Sequence, residues 1–255
     1  MIITKVIRYC WIITTGLACW IFLHGFNKTY ILGRKNVPRE GNMVIIANHQ
    51  SWIDSWPISF AVFWPWALLK PHVFPWHMPE HTNFYKNPIL RLVCRLSQCI
   101  PVTRGKTRFH DLEPHIEKLR EGGTVEVFPE GTRHRGETQD ERDTLYNWRL
   151  GAAHMACCAK ATVLPVAIRG MADLWPVKQR WPKLFGNVIV IIIGKSVDLR
   201  SYWDRLGKNG FRHGNDEHQE VRAEVSNAIK EKLQETLSLA SRIFHNELGD
   251  QKAAF

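Results

Sequence analysis

The sequence predicts an α/β fold, in which a single domain with a mixed β-sheet flanked by helices follows an N-terminal apolar membrane-anchoring helix. Short apolar runs alternate with segments of helical periodicity, which is typical of strands and helices that succeed each other in one layered domain. The length of 255 residues suits one domain with an appended segment. Residues 9–26 contain no Lys, Arg, Asp or Glu, which is typical of a membrane-associated segment.

The composition excludes two classes of protein. With 45% hydrophobic and 23% charged residues the chain can build a full core, which excludes global disorder. A mean hydropathy of −0.24 excludes a membrane protein with many spans. The 34 basic against 24 acidic residues leave a net charge of +10, which favours anionic partners such as lipid surfaces, phosphorylated substrates or nucleic acid. The six cysteines include no CxxC pair, so reduced thiols in a protein that faces the cytosol are expected.

Residues 1–27 are predicted to form the membrane-anchoring segment. A membrane span needs about 20 apolar residues, so residues 9–26 suit either a short span or an anchor that lies in the bilayer surface. Basic residues flank both ends, and therefore the charge pattern gives no orientation. A buried core helix is the alternative interpretation.

Residues 28–200 are predicted to form the domain, and its first elements are a strand and two helices. The wholly apolar run Met43–Ala47 is typical of a buried strand, and a helix over residues 51–63 is expected to follow it. Asn87 followed by Pro88 is a capping and first-turn signal for a helix that ends at Leu96. Residues 99–103 are predicted to form a strand.

The second half of the domain continues this alternation. Residues 109–119 carry apolar side chains at helical spacing, and the glycine pair after them predicts the end of that helix. The remaining predictions are strands at 124–128, 162–168 and 188–193, and a helix near 146–160. Residues 201–255 form the predicted C-terminal amphipathic helical tail, because apolar side chains recur on one face between residues 217 and 248. The pattern does not decide whether this tail packs on the domain or lies on a bilayer.

A histidine and an aspartate form the first segment with candidate chemistry. His49 comes just after the strand Met43–Ala47, and Asp54 lies five positions further on. If the intervening turn is helical, the carboxylate can reach the imidazole and select its tautomer. An imidazole held in this way is a general base that can take a proton from a hydroxyl. A structural hydrogen bond is the plainer alternative for an isolated pair of this kind.

The second segment is Phe-Pro-Glu-Gly-Thr-Arg at residues 128–133, again where a predicted strand ends. Ligand sites of α/β folds lie at the carboxyl ends of their strands. Gly131 permits close approach of a backbone, Thr132 offers a hydroxyl, and Arg133 offers a two-pronged donor for phosphate. A tight turn with a surface arginine would give the same residues.

The order of these two segments resembles the glycerolipid acyltransferase family, whose central members are the 1-acyl-glycerol-3-phosphate acyltransferases. Asn-His-x4-Asp at residues 48–54 is followed by Phe-Pro-Glu-Gly-Thr-Arg about eighty residues later. Two weaker blocks also match in order, Ile-Pro-Val-Thr-Arg at 100–104 and Val-Leu-Pro-Val-Ala-Ile at 163–168. The resemblance covers roughly residues 41–196.

This resemblance implies transfer of an acyl chain from a thioester, acyl-CoA or acyl-carrier protein, to the hydroxyl of a lysophospholipid. The expected acceptor is 1-acyl-sn-glycerol 3-phosphate, which would give phosphatidic acid without an acyl-enzyme. The resemblance implies that His49 is the general base and that Asp54 orients it. Arg104 and Arg133 are the implied phosphate ligands. The acceptor site is shaped by Glu130, Gly131 and Thr132. No metal and no tightly bound cofactor are expected.

The same resemblance gives expectations about partners and location. The expected partners are the lysophospholipid and acyl thioester substrates and a membrane surface. Acyl-carrier protein is a partner only if it, rather than acyl-CoA, is the donor, and nucleic acid is not expected. The protein is expected to be membrane-associated with its active site facing the cytoplasm, at the inner membrane in a bacterium. The aromatic residues between positions 52 and 76 are expected at the membrane interface, with an acyl channel or ordinary core packing as alternatives.

Two further functions stay open. Gly-Met-Ala-Asp at 170–173 is similar to the tafazzin-type branch, which remodels phospholipids, whereas Thr132 and Arg133 match the branch that forms phosphatidic acid. His134 stands where many family members carry serine. The non-enzymatic alternative is a basic module that binds a membrane or nucleic acid. The dispersed Lys and Arg residues and the lack of a recognised nucleic-acid motif weigh against nucleic acid.

Overall fold

A mixed β-sheet organises the chain in the computed structural model, which describes residues 2–39, 41–70, 73–103, 108–136, 138–176, 179–207, 211–212 and 214–253. Within these residues the sheet has six strands in the order β1-β6-β5-β2-β4-β3. Their bounds are β1 Lys28–Leu32, β2 Met43–Ala47, β3 Trp76–His77, β4 Thr124–Val127, β5 Thr162–Arg169 and β6 Val188–Ile193. Neighbouring strands are parallel except β5 and β6, which are antiparallel. The predicted α/β class with a mixed sheet is confirmed.

Helices cover both faces of the sheet. Their bounds are α1 Ile2–Trp20, α2 Ser55–Phe63, α3 His81–Phe84, α4 Pro88–Leu96, α5 Glu113–Arg120, α6 Gly151–Ala159, α7 Met171–Leu174, α8 Arg200–Leu206 and α9 Asp216–Ala253. Successive side chains of a strand point to opposite faces. In β2, Met43 and Ile45 therefore pack with α1 and α2, whereas Val44 and Ile46 pack with α5, α6 and α9. The wholly apolar sequence of β2 reflects this burial on both sides.

The C-terminal helix α9 is a core element of this domain. Its apolar face, identified in the sequence from its spacing, is almost completely buried: Val221, Val225, Ile229, Leu233, Leu237 and Phe244. The first four of these side chains lie in a cluster with β2, β4, α5 and α6, and the last two pack on β5 and β6. The helix within residues 201–255 thus packs on the sheet.

The N-terminal helix α1 is much less enclosed. Ile12 is buried against the domain, Trp11 Nε1 donates to Ser97 Oγ at 3.0 Å, and a Cβ on Gly16 would lie 2.3 Å from the Trp64 ring. Other apolar side chains on α1 and the π-helical turn Ile21–Gly25 are exposed: Val6, Ile7, Leu17, Trp20 and Ile21. The segment Val6–Gly25 has a mean hydropathy of 1.7 and is long and apolar enough to cross a membrane. Only 17% of its apolar stretch is buried inside the protein. The alternative of a buried core helix does not describe this segment.

Several elements differ from those predicted. Residues 99–103 make isolated bridges from Cys99 to His77 and from Val102 to Glu80 instead of a strand, because Pro101 between them has no N–H to donate. The helix expected over 51–63 begins at Ser55, since a turn closed by Asp54 precedes it. The helix near 146–160 begins at Gly151. The strand β1 was not predicted, because this sheet-edge strand has polar and half-exposed residues rather than an apolar run.

Candidate active site

The two motif segments lie side by side because their strands are neighbours. β2 and β4 are parallel, and Ile46 pairs with Val127, so the residues after both strands emerge at the same edge of the sheet. Asn48 fixes the first segment to the adjacent strand β5. Its side-chain amide donates to Ile168 O at 2.9 Å and accepts from Ile168 N–H at 2.8 Å.

His49 and Asp54 form a hydrogen-bonded pair, with His49 Nδ1 3.0 Å from Asp54 Oδ2. The Asp54 carboxylate is fully buried and also accepts hydrogen bonds from the N–H of Gln50 at 2.5 Å, from the N–H of Ser51 at 2.7 Å and from Ser51 Oγ at 2.6 Å. Because Asp54 Oδ2 already accepts two backbone N–H groups, it acts as an acceptor toward the imidazole as well. This geometry selects the tautomer of the neutral imidazole in which Nδ1 carries the proton and Nε2 has the lone pair.

The second motif segment holds His49 in place from its other side. The His49 N–H donates to Glu130 Oε1 at 2.8 Å, and the His134 N–H donates to His49 O at 2.7 Å. The imidazole also stacks on the ring of Phe128, with 4.2 Å between ring centroids. Backbone and ring of His49 are thus fixed by residues that follow β4.

Glu130 is buried and joins three parts of the chain. Besides the bond from His49, its Oε2 accepts the Tyr146 N–H at 3.0 Å. Burial raises the pKa of Glu130 to about 7, although the hydrogen bonds from His49 and Tyr146 act in the opposite direction. Glu130 does not line the cavity described next, whereas Gly131, Thr132 and Arg133 do.

A cavity of about 940 Å³ opens beside this pair, at the upper end of the usual range for ligand pockets. His49 and the residues 131–133 line one part of it. Apolar side chains from the turn before α2, from α2 and from α3 and α4 line another part, among them Ile53, Trp56, Phe84, Leu90 and Val93. The arrangement places a prospective base at a cavity that can hold a hydrocarbon chain.

Arginines lie on the same cavity. The Arg133 guanidinium lies 5.0 Å from the centre of the Trp52 ring, a cation–π contact that orients it. Arg108, Arg135 and Arg149 also line the cavity. Arg104, which the family resemblance implies as a phosphate ligand, lies outside the described residues. Across the described residues there is no group of three or more His, Cys, Asp or Glu that could hold a metal ion.

The geometry agrees with a comparison against known protein families. The Acyltransferase family model matches residues 28–169, more than half of the chain. The chain belongs to the Acyltransferase family. The matched residues contain both motif segments and the strands that carry them, so the resemblance to glycerolipid acyltransferases is confirmed.

Curated relatives of this acyltransferase chain are distant. It is 26% identical over 137 residues to N-acylphosphatidylethanolamine synthase of Arabidopsis thaliana, covering 52% of this chain and 46% of that protein. It is 24% identical over 195 residues to Tafazzin of Drosophila melanogaster (73% and 50%). It is 27% identical over 143 residues to 1-acyl-sn-glycerol-3-phosphate acyltransferase of Borreliella burgdorferi (55% and 51%). The chain spans about half the length of these relatives.

A solved structure shares the fold of this chain. The crystal structure of the 1-acyl-sn-glycerophosphate acyltransferase PlsC from Thermotoga maritima superimposes with a TM-score of 0.58 at 23% sequence identity. The match covers 91% of this chain and 78% of that chain. It therefore extends beyond residues 28–169.

Three features of the candidate site were not found in the sequence. Trp52 was noted only as part of an aromatic run, and its contact with Arg133 depends on how the turn after His49 folds. The two backbone bonds to Glu130 join residues far apart in the chain. Arg149 has no motif around it, and only the fold brings its side chain against Gly131.

A second buried glutamate lies beneath the site, in β4. Glu126 Oε2 accepts a hydrogen bond from Ser59 Oγ at 2.8 Å, and burial raises the pKa of Glu126 to about 8. His77 Nδ1 is 3.7 Å from Glu126 Oε2, and burial lowers the pKa of His77 to about 4. Both groups are therefore mostly uncharged near neutral pH, and this contact is not an ion pair.

Proposed function

We propose that the protein transfers a fatty acyl chain from an acyl thioester, acyl-CoA or acyl-carrier protein, to the free hydroxyl of a lysophospholipid. The His49–Asp54 pair beside a large cavity with apolar walls and several arginines is the observation that carries this proposal. The similarity to 1-acyl-sn-glycerol-3-phosphate acyltransferase of Borreliella burgdorferi and to Tafazzin of Drosophila melanogaster supports it. Apolar walls suit the acyl chain, and the guanidinium groups suit the phosphate that both substrates carry.

In the proposed mechanism, His49 acts as the general base. Its Nε2 takes the proton of the acceptor hydroxyl while the hydroxyl oxygen attacks the thioester carbonyl carbon. The resulting tetrahedral oxyanion collapses, the carbon–sulfur bond breaks, and the protonated imidazole returns the proton to the departing thiolate. Asp54 keeps Nδ1 protonated and stabilises the imidazolium. No acyl-enzyme, metal or tightly bound cofactor is required.

The proposed acceptor is 1-acyl-sn-glycerol 3-phosphate, which gives phosphatidic acid. Arg133 would bind its phosphate, with Arg104 as the second ligand implied by the family resemblance, and Gly131 and Thr132 would shape the acceptor site. Glu130 would act by positioning His49 and the segment at Tyr146 rather than by contacting substrate. The alternative acceptors are those of a remodelling acyltransferase or transacylase of the tafazzin type, which the similarity to the Drosophila melanogaster protein favours.

We also propose that the protein lies on a membrane with α1 and α4 against the lipid. Ile89 and Leu92 of α4 are exposed, whereas Leu90 and Val93 of the same helix line the cavity. The bond from Trp11 to Ser97 joins α1 to the end of α4. A lipid acceptor could therefore pass from the bilayer along α4 to His49. All six cysteines are free, which suits a cytoplasmic location.

A mass-spectrometric transfer assay in detergent tests the activity. Palmitoyl-CoA and oleoyl-CoA, and then acyl-carrier protein thioesters, are offered with lysophosphatidic acid, lysophosphatidylcholine, lysophosphatidylglycerol and monolysocardiolipin. We expect product from lysophosphatidic acid and none with His49→Ala, whose fold is verified by circular dichroism. Product only from another lysolipid would assign the protein to the remodelling branch. Unchanged turnover by His49→Ala would refute the mechanism, and no product from any pair would refute the activity.

Vesicle flotation tests the membrane surface. The double variant Ile89→Ser and Leu92→Ser should bind vesicles of anionic phospholipid more weakly than the wild type, because exposed apolar area contributes to interfacial binding. Removal of residues 1–26 should weaken binding further. Full binding without residues 1–26 would refute this segment as the only attachment, and full binding by the double variant would exclude α4 from the membrane surface.

A further inference from the structure

Arg149 lies against the motif segment 128–133, although no sequence motif contains it. A Cβ added to Gly131 would lie 2.4 Å from Arg149 Nε and 2.7 Å from Arg149 Cδ, so the arginine side chain packs directly on this glycine. Gly131 has a φ of +66°, a backbone conformation that favours glycine. The absence of a side chain at position 131 thus leaves room for the Arg149 guanidinium at the cavity.

The backbone around Arg149 is held at the same place. The Arg149 N–H donates to Pro129 O at 2.9 Å, and three residues earlier the Tyr146 N–H donates to Glu130 at 3.0 Å. Two hydrogen bonds therefore align residues 146–149 with the motif segment. These bonds fix the backbone of Arg149 beside the motif segment.

Arg108 approaches the cavity from the segment that precedes α5. Leu112, four residues later, lies 3.5 Å from where a Cβ on Gly151 would be, so this segment packs beside the start of α6, which begins two residues after Arg149. Both arginines are exposed and line the cavity. Neither side chain has an ion-pair partner among the residues that the structure describes. Unneutralised guanidinium groups on a cavity wall attract anions to it.

We propose that Arg149, together with Arg108, forms a phosphate-binding subsite additional to Arg133, which takes a phosphate group of the acyl donor or of the acceptor. This inference rests on the proposed function, in which both substrates carry phosphate. The guanidinium group matches phosphate oxygens through two parallel N–H donors, which a lysine cannot reproduce. The hydrogen bonds at Pro129 and Glu130 place this subsite at a fixed position relative to His49.

Binding measurements on the full-length protein in detergent test the subsite without turnover. Isothermal titration is performed with coenzyme A, which carries the donor phosphates, and with sn-glycerol 3-phosphate, which carries that of the acceptor. We expect Arg149→Gln to raise the Kd for one of these two ligands by about tenfold, which is the effect of losing a hydrogen bond to a charged group. Arg149→Lys should raise the Kd for the same ligand by a smaller factor. Arg242→Gln, an exposed position on α9, is the matched control and should bind as the wild type does.

The ligand affected identifies the source of the phosphate. Weaker binding of coenzyme A alone assigns the subsite to the donor, and weaker binding of glycerol phosphate alone assigns it to the acceptor. In the transfer assay, KM for the same substrate should rise about tenfold in Arg149→Gln while kcat stays within about twofold. Wild-type affinity of Arg149→Gln for both ligands would overturn the proposal, and so would a wild type that binds neither.

Failure of this subsite is distinguishable from failure of the proposed function. A wild type that transfers no acyl chain but binds coenzyme A or glycerol phosphate through Arg149 would retain the subsite and refute the activity. Normal transfer together with unchanged KM and affinity in Arg149→Gln would retain the activity and refute the subsite.

Discussion

The two sides of the candidate site are built in different ways. The inner side, which consists of His49, Asp54 and Glu130, is joined by hydrogen bonds of 2.8–3.0 Å, and both carboxyl groups are buried. The outer rim consists of Arg108, Arg133 and Arg149, which line the open cavity. Arg133 is held there by its contact with Trp52 and Arg149 by its packing on Gly131.

This difference matches what acyl transfer requires of each side. Proton transfer needs the imidazole at a defined position and in one tautomer, and a buried hydrogen-bonded network provides both. Binding a phosphate needs positive charge within reach and tolerates some freedom of the side chain. We therefore expect changes on the inner side to lower kcat and changes on the outer rim to raise KM.

Among changes to the inner side and the outer rim, Asp54→Asn is expected to have the largest effect on kcat. Asp54 Oδ2 accepts from His49 Nδ1 and from the N–H groups of Gln50 and Ser51, whereas Oδ1 accepts from Ser51 Oγ, and an asparagine has one acceptor oxygen and no negative charge for these two sides. It therefore no longer stabilises the imidazolium, and with its NH2 group at the Oδ2 position it permits the wrong imidazole tautomer. We expect kcat to fall by about 10³-fold with little change in KM. Steady-state kinetics of lysophosphatidic acid acylation measures both, and a thermal melt verifies folding. A kcat within tenfold of the wild type would contradict the orienting role of Asp54.

An intermediate effect is expected from Glu130→Gln. A carboxamide has one acceptor oxygen, so it keeps a bond to His49 or to Tyr146 but not both. Losing one hydrogen bond to a buried carboxyl group should lower kcat by about tenfold, because His49 is then less firmly positioned. Glu117→Gln, an exposed glutamate on α5, is the control for the chemical change. If Glu130 contacts substrate instead, KM and not kcat will change.

The sequence allowed the inner side to be predicted better than the rim. His49 and Asp54 are five residues apart, and both motif segments follow apolar runs typical of buried strands, so local spacing and strand order were sufficient. The positioning bonds of Glu130 and the place of Arg149 depend on contacts between segments up to 81 residues apart. A pattern in one sequence carries no signal for such contacts.

The fold shows the same limit at its edges. The central strands β2, β5 and β6 are wholly or almost wholly buried and were recognised from their apolar runs. The edge strands β1 and β3 lie against one neighbour each, contain polar residues and were not predicted. The amphipathic pattern of α9 identified its apolar face, but only the structure shows that this face packs on the sheet.

A smaller effect on kcat is expected from Arg133→Gln, a change on the outer rim. The glutamine keeps hydrogen-bonding capacity but loses the charge and the cation–π contact with Trp52. We expect KM for lysophosphatidic acid to rise about tenfold while kcat stays within about twofold, the opposite of the pattern for Asp54→Asn. A fall in kcat with unchanged KM would show that the distinction between inner side and rim is wrong.

The smallest effect on turnover is expected from Glu126→Gln. This variant tests whether a carboxyl group has a catalytic role merely because it is buried near the site. Glu126 is as buried as Glu130 but bonds to Ser59 instead of to the His49 segment. We expect kcat within about twofold of the wild type. A larger loss would place Glu126 on the inner side.

The effect of Glu126 should appear instead in the pH dependence of folding. Its pKa of about 8 in the folded protein exceeds the ordinary value of 4.5, so the folded chain retains a proton that the unfolded chain releases. The stabilisation by this proton is complete below the unfolded pKa and is lost as pH rises through 8. Between pH 6.5 and 8.5 Glu126 loses about 2 kcal/mol of its contribution to the unfolding free energy. Glu130, whose pKa is raised to about 7, also loses stabilisation in this range, whereas His77 and His115, whose pKa values are lowered to about 4, contribute a small gain as the unfolded histidines lose their protons near pH 6.5. Urea unfolding at these two pH values should show about 2 kcal/mol less loss in Glu126→Gln than in the wild type and in the surface control Glu231→Gln, since a neutral amide has no proton to lose and all three proteins share the contributions of Glu130 and the histidines. Equal changes in all three proteins would mean that Glu126 is already ionised in the folded state at pH 6.5.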